Sequence, residues 1–176
     1  MLNGPDLLPN GLHVLAPSPG RRGFRNFSNA PVFLADPRLG RVERDFEIYG
    51  GYWFISDRIK ATVEGVDPDG FASLQCRVQQ RDGSEGSVRW LCDIVRVLDA
   101  VDEENSLVQF GTADDGSKFY RFHGIARFRS DAVGTAHIFR FKYLESTWAC
   151  DEKLRRACIE AELTGLRFKD LSRPKR

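Results

Sequence analysis

The chain has 176 residues, 26 basic and 25 acidic, for a formal charge of +1. That length suits one domain with a core that needs no covalent staples, and the near balance of charge argues against a nucleic-acid binder, which carries a marked basic excess. No apolar run approaches roughly eighteen residues, and the start Met1-Leu2-Asn3-Gly4-Pro5-Asp6 lacks a basic-then-apolar leader, so neither a membrane span nor a signal peptide is read and a cytoplasmic location is expected.

Residues 1–30 are rich in Pro, Gly and Asn and read as a loosely structured segment of the same domain, with Leu12 to Leu15 its one plausible strand. The main body is placed at 31–171. It opens with the apolar run Pro31-Val32-Phe33-Leu34-Ala35, closed by Asp36-Pro37, and continues as extended structure from Phe46 to Phe54 around Gly50-Gly51. Ser56 has the chemistry of an N-cap, and Ile59, Val63 and Gly65 predict a short helix stopped by that glycine. Asp67-Pro68-Asp69-Gly70 is a turn.

Between 72 and 78 apolar Ala72, Leu74, Cys76 and Val78 alternate with Ser73, Gln75 and Arg77, and alternation resumes as Val88, Trp90, Cys92 and Ile94. Two strands therefore flank Asp82-Gly83-Ser84-Glu85-Gly86. A hairpin symmetric about Ser84 sets Val78 against Trp90, Cys76 against Cys92 and Leu74 against Ile94, with Trp90 in the core; a bulge in the loop would shift that register.

From 95 to 106 apolar density fits either strand or helix. Lys118 to Phe128 is aromatic and extended, His137 to Tyr143 alternates, and Trp148 to Cys150 is a short strand before Asp151, a second N-cap. A final helix buries Leu154, Cys158 and Ala161, Leu166-Arg167-Phe168 returns as a strand, and 172–176 is a basic tail. The expected fold class is α+β: a single domain with a mostly antiparallel sheet and a few short helices.

No catalytic constellation stands out. Cys76, Cys92, Cys150 and Cys158 form no C-x-x-C pair and read as small buried hydrophobes, and His13, His123 and His137 are scattered, so no metal set is read. Phosphate-cradling glycine motifs are absent, and no cofactor is expected. Cys150, at the start of a helix, is the one residue with a nucleophile's setting, without a placed base. Charge is asymmetric. Between Asp93 and Asp115 lie seven acidic residues and one basic residue, Arg96, whereas Arg21, Arg22, Arg25, Arg38, Arg41 and Arg44 crowd the N-terminal third. Such asymmetry steers a complementary partner, and it nominates Asp99, Asp102, Glu103, Glu104, Asp114 and Asp115 as a partner-binding surface.

Three blocks in order, Phe54-Ile55-Ser56-Asp57-Arg58-Ile59, then Trp90 to Ser106, then Ile138-Phe139-Arg140-Phe141 with Cys150-Asp151 and Leu163-Thr164-Gly165-Leu166-Arg167-Phe168, cover about 54–168. Their succession resembles a bacterial immunity-protein family, formerly a domain of unknown function, of the immunity protein eleven type. The resemblance implies a non-enzymatic cytoplasmic protein, commonly encoded beside a polymorphic toxin, that neutralises this cognate protein toxin by stoichiometric occlusion or distortion of its active site. It carries over no toxin-contact residues, so the acidic surface is nominated from charge alone. Two alternatives stay open: a small-molecule-binding α+β domain with a pocket near Trp53, Trp90 and Trp148, and an enzyme built around Cys150 or His123.

Overall fold

The computed structural model describes residues 2–3, 20, 22–24, 30–35, 43–122 and 124–173. The strand expected at 12–15, the close at Asp36-Pro37, and His13 and His123 lie outside these residues. A six-stranded sheet runs in the order β1 (Leu2–Asn3), β2 (Val32–Ala35), β5 (Phe71–Gln80), β6 (Arg89–Ile94), β4 (Tyr52–Ser56), β3 (Phe46–Tyr49). A three-stranded sheet joins β11 (Leu144–Cys150), β10 (Ile138–Phe141) and β7 (Val97–Leu98), and β8 (Val108–Thr112) pairs with β9 (Lys118–Phe122) in a two-stranded sheet. Three helices complete the described residues: α1 (Asp57–Val66), α2 (Ser130–Val133) and α3 (Glu152–Glu160).

The α+β expectation holds, but the sheet is mixed rather than mostly antiparallel. β2 runs parallel to β5, and β7 parallel to β10. Parallel neighbours require a long crossover, and here the crossovers contain β3, β4 and α1 in one case and β8, β9 and α2 in the other. Local alternation carries no information about which distant strand closes such a loop.

Glycine chemistry makes the β3–β4 hairpin. Gly50 and Gly51 have φ of 59° and 88°, the pair of positive values that a two-residue type I′ turn needs. Ser56 then caps α1, its hydroxyl accepting from the Ile59 N–H at 3.4 Å. Contrary to the expected glycine stop, α1 passes through Gly65 to Val66 and ends at Asp67, because Pro68 disfavours helical backbone in the residue before it. Asp151 caps α3 as its position predicts, accepting from the Leu154 N–H at 3.0 Å.

The central hairpin exists, but its register differs from the symmetric one. Leu74 pairs with Leu91, Cys76 with Arg89, and Phe71 with Ile94. Near the turn Gln79 bridges Glu85, so one extra residue on the β6 side separates the loop from the ladder. The reason for the misreading is that this sheet is buried on both faces. Trp53, Ile55, Phe71, Cys92 and Ile94 face α1 and α3, packing on Ile59, Val63, Leu154 and Cys158. The opposite face buries Phe33, Tyr52, Phe54, Cys76, Val78 and Leu91. With apolar residues on both sides of β6, either parity satisfies the pattern. Trp90 is only half-buried; its indole N–H donates to Asp57 at 2.5 Å and Lys60 lies 4.5 Å from the ring centroid.

A third cluster joins Ala100, Val101, Tyr120, Phe139, Phe141 and Ala149 under the smaller sheet. The undecided 95–106 stretch supplies β7 and then irregular backbone. The strand expected at Leu166–Phe168 is absent. Asp45 accepts from the Thr164 N–H at 2.9 Å, Thr164 C=O accepts from the Phe46 N–H at 3.1 Å, and Gly165 turns away with φ 88°. The chain then reaches the third cluster, where Leu171 C=O accepts from the N–H of Ala126 in the segment after β9 at 2.8 Å. These two attachments leave no ladder along the way.

Candidate functional site

The nominated acidic residues fall on the 99–106 loop and on the turn of the β8–β9 hairpin. Glu103 fastens the two together: its carboxylate accepts from the Lys118 ammonium and the Tyr120 hydroxyl. These two contacts hold the Glu103 carboxyl below its ordinary range. Burial, and then the neighbouring Glu103 carboxylate, push the Tyr120 phenol up. The Lys118 ammonium lies 4.9, 5.3 and 5.0 Å from the ring centroids of Phe110, Tyr120 and Tyr143, an arrangement that ring quadrupoles favour.

Asp99 sits on the other side of this knot. It accepts from Tyr143 Oη at 3.2 Å and Lys142 Nζ at 3.4 Å, with Arg129 at 3.9 Å. Asp102 accepts from the Asn105 side chain at 2.8 Å and its N–H at 3.2 Å, and Asp115 from the Ser117 hydroxyl and from its N–H at 2.9 Å; these bonds hold both carboxyls down. Both are turn-forming contacts. Glu104 and Asp114 are exposed and make no side-chain bond to another described residue. The six residues therefore divide into two in ion pairs, two that build turns and two that are uncommitted.

Counting charges along the chain overstated the acidity of this surface. Asp93, the first residue of the acidic stretch, is fully buried and accepts from Arg140 Nη2 at 3.0 Å and the Gly23 N–H at 2.8 Å. Arg22, from the basic N-terminal third, lies 3.6 Å from Asp93 and pairs with Glu145. Arg140 also donates to the carbonyls of Ile94 and Glu145 at 2.9 and 2.6 Å. Two charges assigned by position to opposing surfaces thus meet in the interior, where they join β6, β10 and β11 to the 22–24 segment.

The hairpin also presents what the residue types alone did not mark. Phe110 is 64% exposed and belongs to none of the three core clusters. Across the hairpin, Phe119 lies so close over Gly111 that a Cβ there would sit 2.6 Å from its ring. Phe110 pairs directly with the buried Tyr120, so no local pattern separated the exposed ring from the buried one; the position of β8 at the outside of the hairpin does.

Cys150 is half-buried, and burial pushes its thiol up to about 11, the opposite of an activated nucleophile. His137 Nδ1 is 2.7 Å from Asp151 Oδ2, while its backbone N–H donates to Asp67 at 2.7 Å, so the residue ties β10 to the ends of both long helices. Among the described residues no group of three or more His, Cys, Asp or Glu is placed to hold a metal ion. Trp53 and Trp148 pack edge to face with centroids 5.6 Å apart, as parts of the core under α1 and α3.

A model described as the immunity protein family (Imm11) matches residues 3–173. No curated protein matches the chain.

Proposed function

The chain belongs to the Imm11 immunity protein family, and on that premise we propose that it acts in the bacterial cytoplasm, binding and neutralising a cognate protein toxin encoded nearby by stoichiometric occlusion. The observation that carries this reading is the family match, which takes in every described element from β2 to α3.

The acidic surface at Asp99, Asp102, Glu103, Glu104, Asp114 and Asp115 is the proposed contact. Its uncommitted members supply long-range attraction for a basic partner, while its paired members hold the loop and hairpin in one shape. Steering of this kind acts mainly on the association rate and weakens with salt.

Co-expression with the product of the adjacent toxin gene tests the function, with growth rescue and copurification scored together. Rescue with a stable complex is the expected result; an active toxin that is neither neutralised nor bound would overturn it. For the surface, Glu104→Lys with Asp114→Lys is the informative variant, because neither side chain holds the fold. Association should slow and lose salt dependence at unchanged melting temperature, and an unaltered association rate would remove the acidic contact.

A further inference from the structure

We infer that Phe110 is the anchor of the toxin interface and that it inserts into an apolar pocket rimmed by basic side chains. The inference rests on the toxin-binding reading and specifies the partner's surface. Phe110 is the most exposed large hydrophobic residue among those described, and it packs in no core cluster, so the fold does not account for it. It is nonetheless held in place. Its backbone pairs with Tyr120, whose side chain is 3% exposed, and Lys118 stands over its ring while Glu103 holds Lys118. An aromatic side chain that projects from a pre-formed strand loses little freedom on binding, which is the profile of an interface hot spot.

Charge on the hairpin and the adjoining loop selects the occupant. The nearest lysine is neutralised by Glu103, and against the exposed Arg121 of β9 the hairpin turn exposes Asp114 and Asp115 and the adjoining loop exposes Glu104, leaving an acidic excess. Phosphate-rich surfaces are repelled by such a rim; a protein pocket edged with Arg or Lys is attracted.

The test measures binding kinetics of the adjacently encoded toxin, carried as a catalytically inactive variant, to the wild-type chain and to Phe110→Ala, Phe110→Tyr and Ile48→Ala. Ile48, 59% exposed on β3, controls for loss of any exposed apolar side chain. Phe110→Ala should weaken binding at least tenfold, chiefly through faster dissociation, with Phe110→Tyr and Ile48→Ala within about threefold of wild type and all melting temperatures alike. Wild-type binding with Phe110→Ala equally tight would overturn the anchor and leave the immunity reading standing. Failure of the wild-type chain to bind would overturn both.

Discussion

Asp93→Ala should be among the most damaging single changes in this protein. Its carboxylate has no exposure to water and is held by Arg140 at 3.0 Å, the Gly23 N–H at 2.8 Å and Arg22 at 3.6 Å. After truncation Arg22 keeps Glu145, but Arg140, 1% exposed, is left with two backbone carbonyls and no carboxylate bonded to it. Removing one partner of a buried ion pair costs about 3–5 kcal/mol, because the remaining charge is uncompensated. Against a total stability on the order of 5–15 kcal/mol that is a large fraction, and for a chain of this size it corresponds to a fall in melting temperature of roughly 6–20 °C. Urea denaturation of Asp93→Ala, Arg140→Met and the double variant gives the coupling directly. The double variant should be markedly more stable than the sum of the single losses implies, since it leaves neither charge buried alone. A loss below about 1 kcal/mol for Asp93→Ala, with additive singles, would refute the reasoning and attribute docking of the 22–24 segment to Phe24 against Tyr52 instead.

Trp90→Ala should cost about 1–3 kcal/mol by urea denaturation, less than a core tryptophan, because the ring is half-buried and its losses are the Asp57 hydrogen bond and the Lys60 contact. Burial alone would raise Asp67, but hydrogen bonds from Arg96 and the His137 and Ile138 N–H groups outweigh it and hold the carboxyl below its ordinary 3.8. Its contribution is therefore present above about pH 4 and lost as pH falls through the lower folded value; in an acid melting series Asp67→Asn should be less stable than wild type at pH 6 and the difference should shrink as pH falls below about 4. Cys150, raised to about 11, should react with iodoacetamide at pH 8 at least tenfold more slowly than it does in urea, and equal rates would show an accessible thiolate.

Features written in a few adjacent residues were legible in the sequence. Ser56 and Asp151 cap helices because a short oxygen-bearing side chain before an apolar period satisfies free N–H groups wherever the rest of the chain goes. Two strands around 82–86 follow from alternation on either side of turn residues, whereas the extended reading of 46–54 left the β3–β4 turn at Gly50-Gly51 unmarked. The blocks across 54–168 were sufficient to point to the family whose match extends over 3–173.

Tertiary structure decided whatever depended on partners distant in sequence. β6 is covered on both faces, so alternation could not choose its register against β5; contacts with α1 and α3 on one side and Phe33 on the other did. The parallel neighbours β2 and β5 are separated by an entire crossover, and the 166–168 segment stays irregular because it is pulled between Asp45 and Ala126. Charge behaved likewise. Asp93 and Arg22 are 71 positions apart and neutralise each other inside the protein, whereas Glu104 and Asp114 remain free at the surface. A local pattern specifies hydrogen bonds that close within a turn, but burial and ion pairing depend on the neighbours that folding supplies.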